Sequence, residues 1–248
     1  AQRQIVERYS LAQEEAFDPA LRSNGAIVKQ ADGKTLHVRR GSPEYFFGEG
    51  LIPRDAAAEW LQSEEEKGHR VLGVSYDDGT GAHFGGFVSF VDRIKDSTIA
   101  TVAAAKQMNV AITVITGDAL KVAEAVGREA GLVTESAEVT EAAAFLTLPQ
   151  AERKKRLSSI RVFARTTPEQ KLELIQLLKE QFTVGYLGEG INDAPALKAA
   201  HVSMVVQSAA DVARETADIV LLQNDLRVIV EGIRFGRETH ANTMKYIR

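Results

Sequence analysis

The sequence predicts an α/β protein. A parallel sheet with helices on both faces is expected over residues 91–248, preceded by a small antiparallel α+β region over residues 1–90. Three observations carry this. Two hairpin signatures fall before residue 91. From about Asp92 short apolar runs alternate with helical patterns, as in a sheet buried on both faces. Polar stretches follow three of the apolar runs, and in parallel folds ligands sit at the carboxyl ends of strands.

In chain order, "AIVKQ" and "TLHVRR" flank Asp32-Gly33-Lys34, a hairpin. "RVLGVSYDD" and "HFGGFVSFVD" flank Gly79-Thr80-Gly81, a second hairpin. Between them "PRDAAAEWLQSEEEKG" has an early proline, an alanine run and a closing Gly68, and reads as a helix. Beyond Asp92 come helix "DSTIATVAAAKQMN", strand "VAITVI" and helix "DALKVAEAVGREAG", the last with Asp118 as its expected cap and Gly131 as its stop. Helix "AERKKRLSS" and strand "RVFAR" follow. "TPEQKLELIQLLKEQ" is a helix with Thr167 as cap and Pro168 at its first position. Strand "FTVGYL", helix "APALKAA", strand "HVSMVV", helix "SAADVARETA" and strand "DIVLL" complete the alternation. Asp225 to Arg248 reads as one long helix with basic residues Arg234, Arg237, Lys245 and Arg248; it ends without a cap and reads as cut short.

Composition removes several function classes. With 44% hydrophobic and 26% charged residues the chain reads as globular and soluble. A net charge of -4 argues against nucleic acid as a partner. The absence of cysteine excludes disulfides and thiolate metal sites. The five histidines show no metal-ligand spacing. No apolar run reaches the roughly 18–20 residues of a membrane span, and residues 1–16 do not resemble a signal peptide.

The chemistry is expected at the three strand exits. Thr116-Gly117-Asp118 offers a hydroxyl, a glycine and helix-start amides, the makings of an anion cradle or of a plain helix cap. Lys171 stands one turn into the following helix pattern after "RVFAR", where it can reach back to a phosphate. In "GEGINDAPALKAA", Gly188 and Gly190 are expected to take backbone angles closed to other residues, so that Glu189, Asn192 and Asp193 converge. Oxygen ligands there suit Mg2+.

In this order the three stretches resemble motifs two, three and four of the haloacid-dehalogenase superfamily. "GEGINDAPALKAA" resembles the Gly-Asp-Gly-x-Asn-Asp-Ala-Pro-Ala-Leu signature of its P-type cation-transporting ATPases. "VITGD", "FARTTPEQK" and "SAADVARETADIVLL" are similar to that family's phosphorylation domain. "EGIRFGRETHANTMKYIR" resembles its stalk, and the magnesium-transporting branch is the nearest in pattern. The resemblance implies a haloacid-dehalogenase-like phosphorylation domain over 91–248 and part of a nucleotide-binding domain over 1–90. In "FDPALRS", Phe17 would stack on adenine and Arg22 would contact phosphate; in "RRGSPE", Arg40, Gly41 and Ser42 would line the nucleotide; in "GHRVLGVSY", Arg70 would contact phosphate. Thr116, Gly117, Asp118, Lys171, Asn192 and Asp193 would be catalytic, and Glu189 and Asp193 would hold Mg2+. ATP and Mg2+ are the implied cofactors. A transported cation is the implied cargo, and the implied location is the cytoplasmic face of a membrane, reached through flanking helices.

Three departures stand out. The Asp-Lys-Thr-Gly-Thr string that accepts the phosphoryl group in the family does not occur in these 248 residues, so the chain alone is expected to form no phospho-enzyme. Glu189 replaces an aspartate, lengthening the carboxylate arm by a methylene. "DRIK", Asp92 to Lys95, replaces the family's Asp-Pro-Pro-Arg hinge. Two other readings stay open: a soluble phosphatase using Asp77 of "SYDDGTG", and a non-catalytic nucleotide-binding module.

Overall fold

A computed structural model describes residues 8–18, 20–91 and 93–247. The chain divides into two compact units, Ala1–Asp92 and Arg93–Arg248. Asp92, the expected hinge residue, and Arg248, the expected end of the last helix, lie outside the described residues.

The first unit is a five-stranded antiparallel sheet in the order β1-β2-β3-β4-β5, with β1 at Tyr9–Asp18, β2 at Ser23–Gln30, β3 at Thr35–Gly41, β4 at Arg70–Asp77 and β5 at Ala82–Phe90. Both expected hairpins form. Gly33 takes a φ of +87°, a left-handed value that glycine adopts without a Cβ penalty. Between β3 and β4 run helix α1 (Pro43–Gly48), a 3-10 turn at Arg54–Ala56 and helix α2 (Ala58–Glu66). The expected single helix over 53–68 is therefore a turn and a helix, ended by Gly68 at φ +77°. Phe46 of α1 is fully buried and lies so close over Gly73 of β4 that a Cβ there would stand 2.4 Å from the ring.

The second unit contains two three-stranded parallel sheets. In one, β6 (Val114–Ile115) and β7 (Val139–Glu141) flank β8 (Val162–Ala164); in the other, β9 (Gly185–Gly188) and β11 (Ile219–Leu221) flank β10 (Val202–Val206). The helices are α3 (Ser97–Gln107), α4 (Leu120–Glu129), α5 (Ala142–Leu146), α6 (Gln150–Leu157), α7 (Pro168–Lys179), α8 (Ala194–Ala199), α9 (Asp211–Thr216) and α10 (Leu226–Ile247). Ile115 of β6 packs against two cores at once, one around Phe163 and Leu174 and one around Ile175, Tyr186 and Leu197. The two sheets thus share apolar packing.

Local rules account for the elements that were expected. Thr167 caps α7 through a reciprocal pair: its Oγ1 accepts from the Gln170 amide at 3.3 Å, and Gln170 Oε1 accepts from the Thr167 amide at 3.0 Å. Gly131, at φ +72°, closes α4. One expectation fails here: Asp118 does not cap α4. Ala119 holds the cap position, and the Asp118 carboxylate instead accepts from the Thr116 hydroxyl at 2.9 Å. The strand expected over 110–115 is reduced to Val114 and Ile115, the two residues that find a partner in β8.

Candidate functional site

The expected site residues of the second unit lie on two loops and the first turn of α7, and hydrogen bonds link these segments. The first loop leaves β6. The Thr116 amide donates to the Phe163 carbonyl at 2.9 Å, continuing the ladder past the strand end. The Thr166 amide then donates to the Thr116 carbonyl and the Arg165 amide to the Asp118 carbonyl, both at 2.9 Å. The loop after β6 is thus fastened to the loop after β8. Arg165 takes φ +49°, an uncommon value for a residue with a side chain. Two residues beyond Arg165, Thr167 starts α7, and one turn later comes Lys171.

Lys171 reaches the loop after β9. Its Nζ lies 2.7 Å from Asp193 Oδ1, with only 18% and 13% of the two side chains exposed. The other contacts of Asp193 are as well defined. The Tyr186 hydroxyl donates to the same Oδ1 at 3.1 Å, and the amides of Glu189 and Gly190 donate to Oδ2 at 3.2 Å each. Burial pushes the Asp193 carboxyl up, but Lys171 and the two amides outweigh it and hold the group below the ordinary aspartate range.

The glycines of this loop act differently from expectation. Gly190 has φ −105°, which any residue can adopt, and a Cβ there would make only ordinary contacts, the nearest with Asp193 Oδ2 at 3.7 Å. Gly188 also has no left-handed angle; its role is room. A Cβ there would stand 2.8 Å from Asp193 Cβ and 3.2 Å from a Tyr186 ring carbon. The glycine is needed because Tyr186 and Asp193 close over it. At Gly117 the nearest atom to a Cβ would be the Thr166 carbonyl oxygen at 3.7 Å, an ordinary contact.

The Thr116 hydroxyl bonds to Asp118 and not to Lys171, and backbone hydrogen bonds join the loops after β6 and β8. Glu189 and Asn192 are exposed. For a divalent ion the donor count is telling. Both Asp193 oxygens already accept two hydrogen bonds each, whereas the Glu189 carboxylate stands in solvent. Magnesium keeps several waters and takes one or two carboxylates, so a site on Glu189 completed by water and substrate oxygen fits these residues. Among the described residues no group of three or more His, Cys, Asp or Glu side chains forms a cage.

In the first unit, Phe17 sits near the end of β1 with 60% of its surface exposed, so it is not a core aromatic. Asp18 pairs with Ser23, Ser23 pairs with Gly41, and the Ser42 amide donates to the Arg22 carbonyl at 3.0 Å. Phe17, Arg22, Gly41 and Ser42 therefore share one end of the sheet. Space at Gly41 is filled by the protein itself, since a Cβ would stand 2.9 Å from Ser23 Cβ. Arg40 Nε donates to Asn24 Oδ1 at 2.9 Å. Arg70 opens β4, three residues before Gly73, the partner of Gly41. The Ser42 hydroxyl is buried without a hydrogen-bond partner among the described residues.

Asp77 and Asp78 are turn residues. Asp77 Oδ1 accepts from the Gly79 amide at 2.8 Å; Asp78 Oδ1 accepts from the Thr80 amide at 3.0 Å and its hydroxyl at 2.5 Å. Both hold the β4–β5 hairpin together.

Sequence reasoning missed Tyr186 and the Arg165–Thr166 clip. A tyrosine inside an otherwise apolar strand was the available signal for the first. Backbone pairing beyond strand ends leaves no signal for the second.

Comparison with known proteins gives the family of the chain. The family description haloacid dehalogenase-like hydrolase matches residues 2–201, most of the chain. The chain belongs to the haloacid dehalogenase-like hydrolases. Within that family its relatives are P-type ATPases. It is 35% identical over 229 residues to the magnesium-transporting ATPase, P-type 1, of Escherichia coli K12, covering 92% of this chain and 24% of that protein. It is 41% identical over 175 residues to a protein of the same name from Salmonella typhimurium, covering 70% and 19%. It is 29% identical over 252 residues to the plasma membrane ATPase of Zygosaccharomyces rouxii, covering 97% and 27%. The resemblance to P-type ATPases, with the magnesium-transporting branch foremost in identity among these, therefore holds. The chain spans about a quarter of the length of these relatives.

Proposed function

We propose that this hydrolase-family chain is the ATP-binding and phosphorylation region of a P-type ATPase that couples ATP hydrolysis to cation transport, with Mg2+ the ion suggested by the names of its bacterial relatives. The reading is supported above all by Lys171, held at 2.7 Å from Asp193 on a loop whose amides point inward, with the Thr116 loop fastened to the start of the Lys171 helix.

The first unit would bind the nucleotide. The exposed Phe17 ring offers a face for adenine, and Gly41 and Ser42 at the same end of the sheet would line the nucleotide. Arg22, Arg40 and Arg70 would meet the phosphates. In the second unit the Lys171 ammonium and the Thr116 hydroxyl would meet oxygens of the transferred phosphoryl group. Gly117 and Asp118 would shape the Thr116 loop, and Asn192 would help orient the loop after β9. Phosphoryl transfer depends on positioning and charge neutralisation, which suits this set. Glu189 would hold Mg2+, with Asp193 behind it; the ion supplies charge neutralisation at the phosphate oxygens. The Asp-Lys-Thr-Gly-Thr string does not occur in these 248 residues. Among the described residues no helix is long and apolar enough to cross a membrane. Attachment at the cytoplasmic face would come from other parts of a longer protein.

The test is binding of a fluorescent ATP analogue to the chain. Phe17→Ala should weaken it by about 1–3 kcal/mol, the scale of base–aromatic stacking. The melting temperature should not change, because the ring is already exposed. Equal affinity in the variant would remove the nucleotide reading from this end of the sheet.

A further inference from the structure

Tyr186 stands out among the groups that the proposed chemistry leaves unused. Its ring belongs to the apolar core with Ile175, Val184, Ala196 and Leu197, and only 9% of the residue is exposed. Its hydroxyl leaves that core at one place, Oδ1 of Asp193. Gly188, on the same face of β9, leaves the gap through which ring and carboxylate approach. A core that needed only volume here would take phenylalanine and avoid the cost of burying a hydroxyl.

Asp193 is fixed from two sides. The amides of Glu189 and Gly190 hold Oδ2, and Tyr186 holds Oδ1. Lys171 ends a flexible four-carbon stem, and its ammonium has Asp193 as its one side-chain partner among the described residues. The position of that ammonium is therefore only as definite as the carboxylate. Without the phenol, the carboxylate keeps its Oδ2 contacts but loses the contact that sets Oδ1, the atom Lys171 follows.

We propose that Tyr186 is a positioning residue that fixes the Lys171 ammonium through Asp193. This rests on the reading above, in which Lys171 meets a phosphate oxygen. Burial, and next to it Asp193, raise the phenol's pKa, so it remains a donor at all ordinary pH.

The experiment titrates the 248-residue chain with inorganic phosphate, following the amide signals of Thr116 and Gly190 by NMR, in wild type, Lys171→Met and Tyr186→Phe. The ammonium signal of Lys171 is recorded in parallel. Tyr186→Phe removes one oxygen and keeps the ring, so the core remains packed. Expected is loss of the saturable shift in Lys171→Met. In Tyr186→Phe, phosphate should bind about three- to tenfold more weakly, the worth of one hydrogen bond. Its Lys171 ammonium signal should broaden, which a purely structural tyrosine would not cause. Unchanged affinity and an unchanged ammonium signal in Tyr186→Phe, with binding lost in Lys171→Met, overturn the positioning role and leave the phosphate site standing. Wild-type behaviour of Lys171→Met overturns the phosphate site itself, and the role of Tyr186 with it.

Discussion

The Lys171 ammonium and the Asp193 carboxylate meet at 2.7 Å, each more than four-fifths withdrawn from solvent. A withdrawn charge is tolerated when it is paired, and removing one partner leaves the other uncompensated. Lys171→Met should therefore cost about 2–4 kcal/mol at pH 7 in urea denaturation. The pH dependence has a definite sign. Asp193 is held below its ordinary value, so its contribution is present above about pH 3.9 and is lost as pH falls through the folded-state value. In the variant, acid neutralises the stranded carboxylate. The stability gap between the two proteins should narrow on acidification, and a gap that widens would contradict the pairing.

Gly188 and Gly190 should respond differently to the same change. Gly188→Ala places a methyl 2.8 Å from Asp193 Cβ, inside any real contact, so the strand or the loop must shift. The expected cost is about 1–3 kcal/mol. Gly190→Ala makes only ordinary contacts at an ordinary φ and should alter the melting temperature little. Equal effects of the two would mean that the loop is held by something other than the Tyr186–Asp193 closure.

These glycines show where the sequence was legible. The motif placed Lys171 and Asp193 after consecutive strands because strand, turn and capping signals are local: Thr167-Pro168 and the residues up to Ala200 each mark a boundary. It could not say why Gly188 is glycine, since the cause is a close approach between side chains that only packing reveals. β1 was missed for a related reason. Its ten residues, "YSLAQEEAFD", are almost all exposed on a sheet edge, so no apolar alternation marks them. The segment Val139–Leu146, with β7 and α5, was also missed, because three strand residues and five helical ones are too few to show a period. The single parallel sheet expected from the alternation is two three-stranded sheets among the described residues. Alternation reports strand type, not which strands pair.

Asp77 should prove a turn residue and not a nucleophile. Its carboxylate accepts the Gly79 amide in the β4–β5 hairpin. Asp77→Asn keeps an oxygen acceptor there and should lower stability by no more than about 0.5–1 kcal/mol. Hydrolysis of p-nitrophenyl phosphate by the chain should be the same with and without the substitution. Any turnover that vanishes in Asp77→Asn would revive the soluble-phosphatase reading.

Glu64 should govern the acid stability of the first unit. It is buried near the end of α2, where Lys67 Nζ lies 2.8 Å from one oxygen and His69 Nδ1 2.7 Å from the other. Hydrogen bonds from Lys67 first, then His69 and Ser89, hold its carboxyl down at about 2. A depressed carboxyl stabilises the fold above its unfolded value of about 4.3, and the contribution fades as pH falls toward about 2. Glu64→Gln removes this titration. Hydrogen exchange of the β4 and β5 amides, measured between pH 6 and pH 3, should show protection that declines with acid in wild type. In the variant, protection should start lower and decline less. Parallel curves would show that the carboxylate's pairing with Lys67 and His69 does not set the acid limit of this sheet.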